Sequence, residues 1–141
     1  MTIVNINFKE FVFKNEIDIA IINDANWIIS TRKSNLSLMT EGEKTITLIL
    51  KLNGEVGNGG FEQYFYNTQG HLIRETINSL MWVNDSSITI FEEAIETFQS
   101  DKDESTKEEE WDKLDKQFYK CDNNLYKLMV AYIKNNIEQF V

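Results

Sequence analysis

The sequence predicts an all-α, single-domain bundle of about six to seven helices over residues 1–141. Three observations predict it. Proline is absent and glycine occurs only six times, whereas all-β folds draw on many glycine and proline turns. Apolar residues recur at three- and four-residue spacing along most of the chain. Helix-capping residues stand where several of those stripes begin. No repeat and no linker divides the chain. A chain of this length buries roughly two thirds of its unfolded surface. Nine Phe, five Tyr and three Trp supply large side chains for that core.

Residues 1–15 are the ambiguous part. Ile3, Val4, Ile6, Phe8, Phe11 and Phe13 fit neither period, so a short strand or an irregular packed segment is expected. Over 16–31, Ile17, Ile21, Ala25 and Ile28 form a helical stripe widened by Ile22 and Ile29. Arg32 and Lys33 suit the negative end of that helix dipole. Thr40-Glu41-Gly42-Glu43 matches a capping box, with Leu38 placed to pack on the first turn. Ile46, Ile49, Leu50 and Leu52 continue its apolar face. Gly54–Gly57 should end this helix, and Asn58 should cap the next. Phe61, Tyr64 and Phe65 share a face of that next helix. Asn67–Gly70 reads as a turn. Ile73, Ile77, Leu80 and Met81 mark another helix, and Ile88, Phe91, Ala94, Ile95 and Phe98 a further one after Asn84–Ser87. Residues 100–110 hold no apolar side chain and read as a solvated loop entering a helix capped by Thr106. Trp111, Leu114, Phe118, Cys121, Leu125, Leu128, Tyr132 and Phe140 then follow a near-heptad spacing. Asp122-Asn123-Asn124 should split this stretch into two helices, with one long helix as the alternative.

Charge is the strongest functional signal. The net charge is −9. Residues 85–115 alone carry 12 acids and 3 bases, so one window holds the whole imbalance. Glu92, Glu93, Glu96, Asp101, Asp103, Glu104, Glu108, Glu109, Glu110 and Asp112 make up most of it. Such a field repels nucleic acid and attracts basic surfaces. Carboxylates three or four residues apart on a helix lie about 5–6 Å apart at Cβ. Phosphates follow one another every ~3.4 Å of axis on each DNA strand. A helix-borne carboxylate array can therefore approach the phosphate density that a DNA-binding protein meets with Lys and Arg. The bland alternative is a solvated acidic face.

Catalytic signals are missing. Cys121, the only cysteine, lies on an apolar stripe and reads as a core residue. His71, the only histidine, has no partner at zinc spacing. No phosphate loop or nucleophile motif is present. The expectation is a protein that is not an enzyme, with no cofactor and no metal. One cysteine forms no internal disulfide, residues 1–13 hold no signal-peptide pattern, and no apolar run reaches the ~18 residues of a membrane helix. A cytoplasmic location follows, with no membrane and no direct nucleic-acid partner.

The most distinctive stretch is Glu55-Val-Gly-Asn-Gly-Gly-Phe-Glu-Gln-Tyr-Phe-Tyr-Asn67. A glycine-rich turn opening a helix could offer backbone N–H groups to an anion. The structural reading is that its glycines let two helices turn and pack closely. Glu55, Val56, Asn58, Gly59, Gly60, Phe61, Gln63, Tyr64, Phe65 and Asn67 match a pattern in which Gly57 replaces an Asn. On these residues the chain resembles the bacterial DNA-mimic protein family, a helical domain of unknown function. Further likeness lies in Leu38–Glu43, in Leu114-Asp115-x-x-Phe118-Tyr119 and in Tyr132-Ile133 to Phe140. The resemblance implies an all-helical fold, dimerisation and no enzymatic activity. It also implies a partner, since one branch of the family occupies the DNA-binding surface of a transcriptional repressor. The shared motif is mostly glycine and aromatic, so that role does not transfer residue by residue. The expected partner is a basic protein, such as a DNA-binding transcription factor or a nuclease. The alternatives are an immunity protein that neutralises a toxin, and a small-ligand or enzymatic role at the Gly-Gly-Phe turn.

Overall fold

The computed structural model describes residues 6–141, apart from the Asn123 side chain. Among the described residues the chain forms seven α-helices and no strand. They are α1 (Phe8–Phe13), α2 (Asp18–Arg32), α3 (Glu41–Thr68), α4 (Ile73–Trp82), α5 (Ile88–Gln99), α6 (Glu104–Tyr119) and α7 (Asp122–Asn135). Short 3₁₀ turns at Leu36–Leu38 and Ile137–Gln139 complete them. The all-α, single-domain expectation holds. α3 is the axis. It packs against α2, α4, α6 and α7, while α5 covers α4 and α6.

The ambiguous N-terminal segment resolves into a helix from Phe8 onward. Asn7 caps it by accepting from the Glu10 amide at 3.1 Å, and Phe8 and Val12 are buried. Ile3 and Val4 lie outside the described residues. In α2, Ile21, Ile22, Ala25, Ile28 and Ile29 are buried as the stripe requires. Ile17 is not, because it is the non-helical cap residue and stands exposed. Arg32 does more than face a dipole. Its guanidinium donates to the carbonyls of Ile6 and Phe140 at 3.0 and 3.1 Å, tying both ends of the described chain to α2.

The capping box forms as expected. The Thr40 hydroxyl accepts from the Glu43 amide, and the Glu43 carboxylate accepts from the Thr40 amide. Glu43 is buried and paired with Lys33 at 2.6 Å. Leu38 is exposed. Met39, adjacent to the cap, packs on the core in its place.

The largest departure lies in α3. Gly54 and Gly57 do not end the helix; it runs on to a break at Gly59 and Gly60. Both early glycines sit within the helix with nothing near where a Cβ would stand. Asn58 does not cap the second half, since its side-chain amide donates to Gln63 Oε1. The cap comes from another helix. Asp115 on α6 accepts from the Phe61 amide at 2.8 Å. One turn later on α6, the Tyr119 hydroxyl donates to the Val56 carbonyl at 3.0 Å.

Phe61, Tyr64 and Phe65 follow the break and are buried. With Phe91, Phe98, Trp111 and Phe118 they form one aromatic cluster, with ring centroids 4.5–6.4 Å apart. The Trp111 indole donates to the Ala94 carbonyl at 3.1 Å and joins α6 to α5. Met81, expected on the inner face of α4, is exposed, and Thr76 and Ser79 take the inner positions with Leu80. Their hydroxyls donate to carbonyls four residues back, which satisfies them inside the helix.

The acidic linker is shorter than expected. α6 starts at Glu104, capped by Asp103, whose carboxylate accepts from the Thr106 amide at 2.8 Å. Thr106 is therefore the third residue of the helix and not its cap. The stretch after Trp111 is two helices, broken at Lys120–Cys121. The break moves the buried stripe of α7 to Leu125, Met129, Val130 and Ile133, leaving Leu128 and Tyr132 half-buried. Cys121 is likewise half-buried, beside that break.

Candidate functional site

α5 and α6 run back to back through Ser100–Asp103, so the acidic window folds into one helical hairpin. Glu92, Glu93, Glu96, Asp101, Asp103, Glu104, Glu108, Glu109 and Asp112 are all exposed, and Glu110 is half-buried. The apolar faces explain why. Phe91, Ala94 and Ile95 on α5 and Trp111, Leu114 and Phe118 on α6 point into the core. At 3.6 residues per turn the intervening acids must point outward.

The hairpin does not gather all ten into one spot. Glu93, Glu96 and Glu110 line a groove of about 370 Å³ between the two helices, together with Lys102 and Lys113. Glu110 is compensated there: it pairs with Lys102 at 2.6 Å and accepts from the Thr97 hydroxyl at 2.8 Å. These bonds hold its carboxyl below the usual range. Asp112 pairs with Lys116 one turn on, at 3.2 Å. Asp103 is spent on the cap of α6. Glu92, Glu93, Glu96, Asp101, Glu104, Glu108 and Glu109 make no ion pair among the described residues. They are the uncompensated part of the surface.

One carboxylate of this surface was not legible from the charge window. Glu62, on α3 just beyond the break, faces Glu108 and Glu104 across the other flank of α6. Glu62 is exposed, but desolvation beside α6, followed by these two neighbours, pushes its carboxyl above the usual range. It lies between Phe61 and Gln63 of the Gly-Gly-Phe motif, 23 residues before the acidic window opens at Asp85, so only folding joins them. The raised value has a consequence for stability. Between the ordinary carboxylate range and the raised value, the folded chain holds a proton that the unfolded chain has lost. Stability contributed by Glu62 therefore falls as pH rises through that window. Glu62→Gln is expected to raise neutral-pH stability by less than about 0.5 kcal/mol, as for an exposed charge. It should also flatten this part of the stability profile, measured by urea unfolding between about pH 4 and pH 8.

The motif residues serve the α3 break. Glu55 Oε2 accepts from Gln63 Nε2 at 2.8 Å and from Asn67 Nδ2 at 2.7 Å. These bonds, aided by Lys51 at 3.3 Å, hold the Glu55 carboxyl below the usual range. With the Asn58–Gln63 bond they brace one half of α3 against the other. Gly60 has φ +75° and ψ −176°, a region that essentially only glycine adopts. A Cβ there would stand 2.2 Å from Asp115 Oδ2. The anion expected at a glycine-rich helix start is thus the chain's own Asp115. Burial pushes the Asp115 carboxyl up, against the Phe61 amide bond that pulls it down.

No group of three or more His, Cys, Asp or Glu side chains suited to a metal ion occurs among the described residues. His71 and Cys121 lie apart from the acidic hairpin, and burial pushes the Cys121 thiol up, away from the thiolate form that reacts. No described helix is long and apolar enough to cross a membrane.

A family model described as DMP19-like protein matches residues 37–136. The match spans the capping box, the α3 break, the acidic hairpin and all of α7. No curated protein and no solved structure matches the chain.

Proposed function

The chain belongs to the DMP19-like protein family, and from that premise we propose that it is an acidic protein-binding domain acting as a DNA mimic. In this reading the α5–α6 hairpin occupies the basic surface that a DNA-binding protein otherwise offers to phosphates. The observation that carries it is the set of exposed carboxylates Glu92, Glu93, Glu96, Asp101, Glu104, Glu108 and Glu109, which form no ion pair among the described residues. They stand on and between two helices joined by the Trp111–Ala94 bond, and one branch of the family that the chain resembles acts as a DNA mimic. The reading needs no catalytic group, cofactor or metal, and places the protein in the cytoplasm with its partner. The Gly-Gly-Phe turn supports the surface and does not bind the partner, because its polar groups are already committed to one another.

Competition tests this. The immobilised protein should capture a basic DNA-binding protein from lysate of its native cell, identified by mass spectrometry. Duplex DNA should then displace that protein. A captured protein that binds DNA and this chain at the same time would contradict mimicry. A captured toxin whose complex ignores added DNA would favour an immunity role instead.

A further inference from the structure

A half-open cleft of about 230 Å³ lies on the other flank of α6, between α6 and the part of α3 beyond the break. Helical spacing builds its walls. Glu62 and Tyr66 stand one turn apart on α3, and Glu104, Lys107 and Trp111 recur at three- and four-residue spacing on α6, so each set shares one face. Phe98, half-buried on α5, closes one end, and the buried Phe65 and Trp111 close the floor. Tyr66 is 77% exposed, so its ring is free to be covered.

The cleft is short of positive charge. Neither Glu62 nor Glu104 forms an ion pair among the described residues. The one ammonium in the lining, Lys107, donates to the Phe98 carbonyl at 3.2 Å, at the C-terminal end of α5, where a helix attracts cations. Glu108, one turn after Glu104, adds a third carboxylate that acts on Glu62. Desolvation, and then repulsion from Glu108 and Glu104, pushes the Glu62 carboxyl up. An arriving cation relieves that repulsion. Gln69 donates one N–H to the Tyr66 carbonyl at 2.8 Å and keeps its side-chain oxygen as a further acceptor. In the groove between α5 and α6, by contrast, Glu110 already holds Lys102.

We propose that this cleft receives one arginine side chain of the basic partner, an inference that rests on the mimic reading for that partner. A guanidinium is planar and always charged, stacks on aromatic rings, and donates a fork of N–H groups to carboxylates. Here it lies on the Tyr66 ring between Glu62 and Glu104, with its apolar stem against Phe98. A lysine ammonium is a strongly hydrated point charge and makes less use of ring and fork. The cleft therefore selects by shape as well as charge, whereas the rest of the hairpin selects by charge alone.

The probes are N-acetyl-arginine amide, N-acetyl-lysine amide and the neutral N-acetyl-citrulline amide, titrated into the whole chain at constant ionic strength. In two-dimensional amide NMR the arginine probe should shift Glu62, Tyr66 and Phe98 saturably. Its dissociation constant should be about 1–10 mM, the affinity scale of a small fragment. The lysine probe should bind about threefold more weakly, the scale of one exposed stacking contact, and the citrulline probe should leave the resonances in place. Tyr66→Ala should bring the arginine probe down to the level of the lysine probe. Glu62→Gln with Glu104→Gln should weaken it about tenfold, and Glu93→Gln with Glu96→Gln, an equal change of charge on the other flank, less than about twofold. All these side chains are exposed, and the rest of each spectrum checks the fold. Equal binding of the arginine and lysine probes to the parent chain, or equal weakening by the two Gln pairs, would overturn the proposal in favour of a diffuse acidic surface. Absence of saturable shifts at about 50 mM, above the expected range, would overturn it outright. The mimic reading fails separately. If the arginine probe fills the cleft but DNA displaces no captured protein, the cleft stands and mimicry falls. If a captured protein is displaced by DNA and binds the Tyr66→Ala and Glu62→Gln variants as well as the parent, mimicry stands and the cleft proposal falls.

Discussion

Gly60→Ala is expected to lower stability by about 3 kcal/mol or more, and Gly57→Ala, three residues away, to raise it. Two costs add at Gly60. An L-residue at φ +75°, ψ −176° is strained by about 1–3 kcal/mol. The new methyl also meets Asp115 Oδ2 at 2.2 Å. It displaces the carboxylate that satisfies the Phe61 amide, and an unsatisfied buried amide costs about 1–3 kcal/mol. A loss of this size in a domain of this length lowers Tm by roughly 10 °C. At Gly57 nothing lies within 4 Å of the added atom and the backbone is helical, so alanine gains about 0.5–1 kcal/mol. Thermal unfolding of the two variants beside the parent checks both signs. Equal melting temperatures would contradict the account of the α3 break.

The second large effect is on binding. Replacing Glu92, Glu93, Glu96 and Glu108 together with Gln should weaken the partner complex about 30- to 100-fold. Exposed charges contribute about 0.2–1 kcal/mol each, and four near the upper part of that range give about 2–3 kcal/mol. The same change should leave Tm equal or slightly higher, because like charges at three- and four-residue spacing destabilise a helix by about 0.2–0.5 kcal/mol per pair. Glu10, Glu16, Glu75 and Glu138 are also exposed, outside the hairpin. Gln at those four changes net charge equally and should barely affect the complex. Equal weakening by both sets would show that net charge matters and the hairpin does not.

The helices were legible because their signals are local. The Thr40–Glu43 capping box and the 3–4 spacing of Ile88 to Phe98 need only one turn of chain to act. The acidic window was legible as composition, and its exposure followed from the apolar residues between its acids. What the sequence concealed depends on distant partners. Gly54, Gly57, Gly59 and Gly60 look alike in one dimension, and only Asp115 and Tyr119, more than fifty residues on, decide that the break falls at the last two. Glu62 joins the acidic surface by the same route, through the packing of α6 on α3. Leu38 and Met81 have the right chemistry for the core but fall on outward faces. Cys121 sits where the helix stripe stops. Thr106 has a cap residue's hydroxyl, yet Asp103, three residues earlier, accepts the amide bond that Thr106 donates.

Within the match to residues 37–136, these observations divide the chain's conspicuous residues into two sets. The Gly-Gly-Phe motif, Asp115 and Tyr119 hold the bend of α3 and so fix α6. The exposed glutamates that α6 and α5 carry are then held at constant spacing by the fold itself. Pre-set geometry of this kind lets charge act without a large ordering cost on binding.

The dependence of the partner's affinity on salt, measured for the parent chain and for the four-Gln hairpin variant, tests the central claim most directly. If carboxylates take the place of phosphates, affinity falls steeply as salt rises. Each lost contact should then flatten the logarithmic slope by up to about one unit, as phosphate contacts do. A complex indifferent to salt, or one whose slope is the same in both proteins, would contradict it.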